Sequence, residues 1–158
     1  CLQENAFDLV VLSPGPGCPA DFKVAQTIEH VLARKIPLFG VCLGLQAIVE
    51  YFGGNLDVLP YPMHGKASQI IVKQQGPGLF SGLGASFTAG RYHSLYAREK
   101  TLPAELTVTA VSEDQVIMAV THKSLPIYAV QFHPETILSL QDQVGLRIIS
   151  NLMGLIAK

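Results

Sequence analysis

The feature that most constrains this chain is a cysteine standing between an apolar run and a helical pattern. Residues 37–41 are short and apolar, which predicts a buried strand, and residues 43–52 have helical spacing that stops at two glycines. Cys42 is therefore predicted to lie at a strand-to-helix turn. Gly40 and Gly44 flank it, and glycine allows a sharp turn and close packing. Because free N–H groups at a helix start favour a thiolate, the turn predicts an activated cysteine nucleophile.

A second interpretation of Cys42 stays open on these residues alone. Free cysteine is among the most buried residue types, and a lone cysteine after a strand is usually part of the core. The choice between packing and catalysis depends on whether a base and a group that orients it occur elsewhere in the chain.

The residues before this turn predict the first half of a βαβ unit. Residues 7–12 are almost continuously apolar, as expected of a strand covered on both faces in a parallel sheet. Ser-Pro-Gly-Pro-Gly at residues 13–17 then fixes a tight loop with exposed N–H groups, and Asp21 can cap the helix that follows. Ligands gather at the C-terminal ends of parallel strands, so the loop and Cys42 are predicted to share one site.

Beyond residue 54 the pattern changes to short strands separated by turn residues, which indicates an antiparallel part. The predicted strands of this part are residues 56–59, 70–72, 87–92, 106–111 and 116–120. Residues 127–132 return to a near-continuous apolar strand, and an amphipathic helix follows from residue 143. We therefore predict a three-layer α/β/α fold whose central sheet is mostly parallel and has an antiparallel part.

Composition and charge exclude several classes of function. Eleven basic residues against twelve acidic ones give a formal net charge of −1, and no basic stripe indicates a nucleic acid or an anionic membrane as partner. No apolar run reaches membrane-spanning length and the N-terminus lacks the pattern of a signal peptide, so we expect a cytoplasmic protein. Its cysteines and histidines lack the close spacing of a structural zinc site, so no metal site is predicted.

The chain length suits a single domain over residues 1–158, with 49% hydrophobic residues available for its core. The chain opens on Cys1 without a methionine and reaches a predicted strand almost at once. We therefore expect an N-terminally truncated domain that belongs to a longer or fused polypeptide.

The candidate partners of Cys42 are His133 and Glu135. They directly follow the apolar strand at residues 127–132, and Pro134 between them forces extended backbone that holds both side chains on a rigid edge. The imidazole can take the thiol proton while the carboxylate fixes its tautomer. Alternatively, His133 packs at the strand end and Glu135 caps the last helical region. Taken together with Cys42, the catalytic interpretation is favoured.

Five sequence blocks in this order resemble class I (triad-type) glutamine amidotransferases over nearly the whole chain. The blocks are residues 13–17, 40–46, 64–66, 92–95 and 131–135. Residues 61–68 and 90–96 are most similar to the branch of the family that forms the amidotransferase component of anthranilate synthase, especially to versions fused behind the synthase. The resemblance implies a flavodoxin-like fold whose first strand and helix are missing before residue 7. Thr136 departs from the family, which often has serine there, but it keeps the hydroxyl.

The resemblance implies a role for each matched residue. Cys42 attacks the side-chain amide of glutamine to give a glutamyl thioester and ammonia, with His133 as base and then acid, and Glu135 orients the imidazole. The N–H groups of Gly15 and Leu43 form the oxyanion hole. The residues implied to bind glutamine are Gly15, Pro16, Gly17, Gln46, Ser94 and Leu95.

The same resemblance implies the partners. The ammonia is delivered to a chorismate-using synthase, either a separate chain or a fused domain, for tryptophan biosynthesis; this domain uses no cofactor, and Mg²⁺ belongs to the synthase. Rivals within the family differ in the partner, which is then aminodeoxychorismate synthase of folate synthesis or a phenazine-pathway homologue. A rival of another class is a non-catalytic docking or regulatory module. An activated Cys42 is expected to be alkylated near neutral pH faster than Cys18, whereas a docking module shows no such difference.

Overall fold

A computed structural model describes residues 7–74 and 76–157. Within these residues the strands are β1 (Val10–Leu12), β2 (Leu38–Val41), β3 (Leu56–Val58), β4 (Lys66–Val72), β5 (Ser86–Arg91), β6 (Leu95–Ala97), β7 (Leu106–Ser112), β8 (Ile117–His122) and β9 (Ile127–Val130). The α-helices are α1 (Val24–Ala33), α2 (Leu43–Tyr51) and α3 (Val144–Ile156). Short 3-10 helices lie at Pro19–Asp21, Glu99–Thr101, Ile137–Ser139 and Gln141–Gln143.

Seven of these strands form one mixed sheet in the order β1-β2-β9-β8-β7-β4-β5, and β3 and β6 pair separately. The three neighbours β1, β2 and β9 are parallel, with Val41 in register with Val130. The other four pairings of the sheet are antiparallel, so the antiparallel part is larger than the sequence indicated. Parallel register places the ends of β2 and β9 side by side, which brings the residues that follow them to one sheet edge.

The core consists of two apolar clusters, one on each face of the sheet. Successive side chains of a strand point to opposite faces. Leu38 packs in the cluster that contains Ile28 of α1 and Ile48 of α2, whereas Phe39 packs in the cluster that contains Ile148 of α3. Helices therefore cover both faces, and the predicted three-layer α/β/α fold is confirmed. Among the described residues, no helix combines the length and the apolar character needed to cross a membrane.

The first strand differs from its prediction. Regular strand structure covers only Val10–Leu12, and the side chain of Val11 is 52% exposed. The apolar run was expected to be covered on both faces, and within the described residues this is wrong. The reason is that β1 lies at an edge of the sheet as described, with β2 as its partner.

Two further local predictions need correction. Asp21 does not cap α1: its carboxylate accepts the N–H of Cys18 at 2.7 Å, and the N-cap of α1 is Lys23, which makes no side-chain capping bond. Strand β6 was not predicted at all. Its three residues pair with β3, which lies about forty residues earlier in the chain, and such a short segment has no periodicity of its own.

Candidate active site

Cys42 occupies a strained turn between β2 and α2. Its backbone has φ 54° and ψ −101°, a conformation that residues with a side chain rarely adopt. The Cys42 N–H donates to the carbonyl of Val130 at 2.8 Å, which ties the turn to β9. A Cβ atom on Gly40 would lie 2.6 Å from the carbonyl carbon of Gly44, so α2 approaches β2 this closely only because residue 40 is glycine, and a Cβ atom on Gly44 would collide with Leu12 of β1. The predicted strand-to-helix turn is confirmed.

His133 and Glu135 lie just beyond β9 and are hydrogen-bonded to each other. The His133 Nδ1 to Glu135 Oε1 distance is 2.7 Å. A carboxylate only accepts hydrogen bonds, so Nδ1 carries the proton and Nε2 keeps its lone pair when the ring is neutral. Nε2 is buried and has no hydrogen-bond partner among the described residues. The pair therefore presents a buried acceptor without a described partner just beyond β9, the parallel neighbour of β2. Its role as base and orienting group stays a prediction.

The backbone of His133 is clamped by two hydroxyl groups. Ser139 Oγ donates to the His133 carbonyl at 2.6 Å and Thr136 Oγ1 donates to it at 3.0 Å. The His133 N–H donates to the carbonyl of Gly90 at 2.9 Å. Thr136 thus uses the hydroxyl that it shares with serine, and the histidine is held independently of its side chain.

A cavity of about 190 Å³ opens beside the cysteine. It is lined by Gly15, Pro16, Gly17, Cys42, Gln46, His64, Tyr92, His93, Ser94 and Leu95. Every residue that the sequence implied for binding glutamine therefore lies on one cavity, together with the proposed nucleophile. The sequence analysis missed the contributions of His64, Tyr92 and His93. Their signal was present, because His64 begins one of the matched blocks and the other two open another.

The two residues predicted for the oxyanion hole lie next to each other. A Cβ atom on Gly15 would be 3.8 Å from the Leu43 side chain, and both residues also line a neighbouring cavity of about 350 Å³. The Leu43 N–H makes a hydrogen bond to the Cys42 thiol. The N–H at the helix start therefore lies next to the sulfur, and its role in stabilising the oxyanion, which would form on the carbonyl oxygen of the substrate, stays a prediction.

Burial has the largest influence on the Cys42 thiol and raises its pKa to about 11. The hydrogen bond from the Leu43 N–H lowers the pKa, the Glu135 carboxylate raises it, and a hydrogen bond from Gln131 lowers it. The helix start therefore acts in the predicted direction, but burial outweighs it and the resting thiol is not activated. The thiol is also only 6% exposed, so faster alkylation than at the more exposed Cys18 is not expected from this structure. Activation requires a base at the moment of reaction.

A buried network that the sequence analysis did not predict supports the far side of the cavity. Arg91 is completely buried; its Nη1 binds Asp114 at 2.9 Å and its Nε–H donates to His93 Nε2 at 3.1 Å. His93 Nδ1–H in turn donates to the carbonyl of Leu95 at 2.9 Å. Burial lowers the pKa of His93 to about 4, aided by the Arg91 charge and opposed by the Leu95 hydrogen bond. His93 is therefore a neutral bridge between a buried ion pair and the cavity wall.

Fold and site together define an α/β protein with a cysteine at a strand-to-helix turn and a histidine–carboxylate pair on the adjacent parallel strand. Comparison with solved structures gives the same fold: a protein assigned to a GMP synthase of Thermoplasma acidophilum matches with a TM-score of 0.84 and 27% identity, over 98% of this chain and 75% of that one.

Comparison of the sequence identifies the family. The class-I glutamine amidotransferase family matches residues 2–150, and the chain belongs to it. An anthranilate synthase of Azospirillum brasilense is 59% identical over 99% of this chain, which spans 21% of that protein. An aminodeoxychorismate/anthranilate synthase component 2 of Bacillus subtilis is 44% identical over 92% of this chain and 74% of its own length.

Proposed function

We propose that this domain hydrolyses the side-chain amide of glutamine through a thioester on Cys42 and supplies ammonia to a chorismate-using synthase that makes anthranilate for tryptophan biosynthesis. The observation that carries the proposal is the shared cavity, which is lined by the thiol and by every residue implied to bind glutamine. One of its lining residues, Tyr92, packs against the ring of His133, whose Nε2 is buried and unpartnered among the described residues. The identity to the Azospirillum brasilense anthranilate synthase supports the choice of synthase.

In the proposed reaction, His133 Nε2 takes the thiol proton while Glu135 holds the Nδ1–H. The Cys42 sulfur then attacks the amide carbon of glutamine, and the N–H groups of Leu43 and Gly15 stabilise the oxyanion. The proton passes from Nε2 to the departing nitrogen, and ammonia leaves. Water, deprotonated by the same imidazole, hydrolyses the thioester to glutamate and restores the thiol. Every proton that the imidazole takes up is returned, so the site turns over without a cofactor.

The test replaces Cys42 in the complete polypeptide together with its synthase. We expect Cys42→Ser to abolish anthranilate formation from glutamine and to leave formation from added ammonia intact, because only ammonia generation uses the sulfur. His133→Ala should be similarly damaging. Glu135→Gln should lose less, since it keeps a hydrogen-bonding partner for the imidazole. Loss of both the glutamine-dependent and the ammonia-dependent reactions in Cys42→Ser would contradict the division of labour.

A second candidate partner is aminodeoxychorismate synthase, which the dual name of the Bacillus subtilis relative favours. The two are separated by identifying the aminated product of chorismate when glutamine is the nitrogen source. We further propose that Mg²⁺ is held by the synthase and that the protein is cytoplasmic. The free thiols of Cys18 and Cys42 support the latter. A docking module without glutaminase activity would release no ammonia from glutamine under any of these conditions.

A further inference from the structure

Gln131 directly follows β9 and has no assigned role in the proposed reaction. It is completely buried, and its backbone N–H donates to the carbonyl of Met118 at 2.8 Å. A buried carboxamide is costly unless both of its ends are hydrogen-bonded. Here one end is 3.5 Å from the reacting atom, since Gln131 Nε2 donates to Cys42 Sγ.

The orientation of this carboxamide is determined by a second glutamine. Gln46 Nε2 donates to Gln131 Oε1 at 3.3 Å and to the Leu95 carbonyl at 3.1 Å. Because Gln131 Oε1 is thereby the acceptor, its NH₂ group must face the sulfur. Gln46 is fixed in turn by Leu95, whose carbonyl also accepts the His93 Nδ1–H. The Gln131 NH₂ group that faces the sulfur is therefore held in its orientation by the two hydrogen bonds that Gln46 donates, to Gln131 Oε1 and to the Leu95 carbonyl.

The surroundings of the sulfur offer few other groups that stabilise negative charge. Glu135 lies close enough to oppose a thiolate. His93 is neutral. Among the described residues, this leaves the Leu43 N–H and the Gln131 carboxamide as the hydrogen-bond donors to Sγ.

We propose that Gln131 is a catalytic residue that stabilises the Cys42 thiolate by an N–H···S hydrogen bond, and that Gln46 is a positioning residue that aims this donor. A hydrogen bond to a charged acceptor is stronger than one to a neutral acceptor, so the interaction strengthens as His133 removes the proton. It therefore favours the reactive state over the resting state. Its use in turnover rests on the proposed glutaminase function, but the hydrogen bond can be tested without turnover.

The experiment measures alkylation of Cys42 by iodoacetamide in the complete protein at about pH 8, with the Cys42 peptide quantified by mass spectrometry. The thiolate is the reacting form, so below its pKa the labelling rate falls about tenfold for each unit by which the pKa rises. Gln131→Met keeps the side-chain length and removes the donor. We expect labelling about tenfold slower, the change that corresponds to one lost hydrogen bond to a charged group.

Three further variants separate this role from packing. Gln131→Glu still accepts from Gln46 but cannot donate when ionised, and should label more slowly than Gln131→Met. Gln46→Met alone should slow labelling. Combined with Gln131→Met it should cause no further slowing, because Gln46 acts through Gln131. Gln69→Met is the matched control: this glutamine is exposed, donates to Thr88 Oγ1, and should label at the wild-type rate.

Labelling of Gln131→Met at or above the wild-type rate, with an unchanged melting temperature, would overturn the proposal. If Gln131→Met lowers the melting temperature, the labelling rates of Gln131→Glu and Gln46→Met are used instead. Wild-type labelling rates in both variants would reject the proposed role of Gln131. Ammonia release is measured in parallel: kcat should fall about tenfold in Gln131→Met while KM stays within about twofold. A wild-type protein that releases no ammonia from glutamine would reject the proposed function, whereas the labelling series would still decide the hydrogen bond.

Discussion

The two walls of the cavity beside Cys42 are built in different ways. In the wall that carries Cys42, the backbone positions the residues: the Cys42 N–H donates to the Val130 carbonyl, Gly40 allows α2 to lie against β2, and Gly44 allows it to lie against β1. We call this the backbone wall. In the wall that carries His93, side chains position the residues, since Arg91 and His93 connect it to Asp114 on the β7–β8 turn. We call this the side-chain wall.

The glycine contact of the backbone wall joins residues that are close in sequence, since a Cβ atom on Gly40 would meet the backbone of Gly44, and this contact tolerates no added atom. The other contact of that wall, from the Cys42 N–H to the Val130 carbonyl, ties the local turn to β9. The side-chain wall depends on an ion pair whose partners are 23 residues apart and on a histidine that must stay neutral. We expect the backbone wall to be sensitive to added volume, and the side-chain wall to be sensitive to removed charges and to acid.

The largest expected effect concerns the ion pair of Arg91 and Asp114 in the side-chain wall. Removing the Asp114 carboxylate should cost more stability than removing the Arg91 guanidinium. Asp114→Ala leaves the Arg91 guanidinium buried without its counterion, whereas Arg91→Met leaves an Asp114 carboxylate that is 42% exposed and can be hydrated. We expect Asp114→Ala to cost about 3 kcal/mol of unfolding free energy and Arg91→Met about 1 kcal/mol. Denaturant unfolding of both variants gives the comparison. An equal or reversed order would mean that the pair acts by packing and not by charge.

The next effect is a dependence of stability on pH that arises from His93. Its pKa is about 4 in the fold and 6.5 as the ordinary value, so the unfolded chain binds a proton that the folded chain rejects. The contribution of neutral His93 is complete above about pH 6.5 and is lost as the pH falls through about 4. The full loss of unfolding free energy is about 3 kcal/mol, and it is approached only at the acid end of this pH range. His122, whose pKa burial also lowers, adds a smaller slope of the same sign.

His93→Gln tests this dependence. Glutamine can accept from Arg91 and donate to Leu95, but it does not titrate. The unfolding free energy of this variant should therefore fall less between about pH 6.5 and 4 than that of the wild type. If the unfolding free energy of His93→Gln depends on pH as steeply as that of the wild type, acid destabilises the protein through groups other than His93.

These residues also show what can be predicted from the sequence and why. The Cys42 turn was predictable because an apolar run, two glycines and a helical pattern are all local. The Arg91–Asp114 pair and strand β6 were not, because each depends on a partner far along the chain. The pKa of Cys42 was predicted in the wrong direction for a related reason: the helix start is local, whereas burial by surrounding elements is not, and burial has the larger effect.

The backbone wall is tested by adding one methyl group. A Cβ on Gly40 would lie 2.6 Å from the carbonyl carbon and 2.7 Å from the carbonyl oxygen of Gly44, and backbone atoms cannot rotate away. We expect Gly40→Ala to cost about 2 kcal/mol and to lower kcat, because α2 and the thiol must shift. Gly154→Ala is the matched control. Its Cβ in α3 would meet nothing within 4 Å, and it should stabilise the protein by about 0.5–1 kcal/mol. Equal stabilities for the two variants would refute the close approach.

The smallest expected effect concerns Tyr92. The Tyr92 ring lines the cavity and packs edge-on against the His133 ring, with centroids 5.1 Å apart. Tyr92→Leu removes this contact, and we expect a loss of about 1 kcal/mol. Tyr92→Phe keeps the ring and should retain wild-type stability.

If the Tyr92 ring restrains the imidazole, the leucine variant should lower kcat about threefold or more, and the phenylalanine variant should not, since about 1 kcal/mol of lost orientation corresponds to a factor of that size. Equal kcat values for the leucine and phenylalanine variants would mean that the ring does not restrain the imidazole.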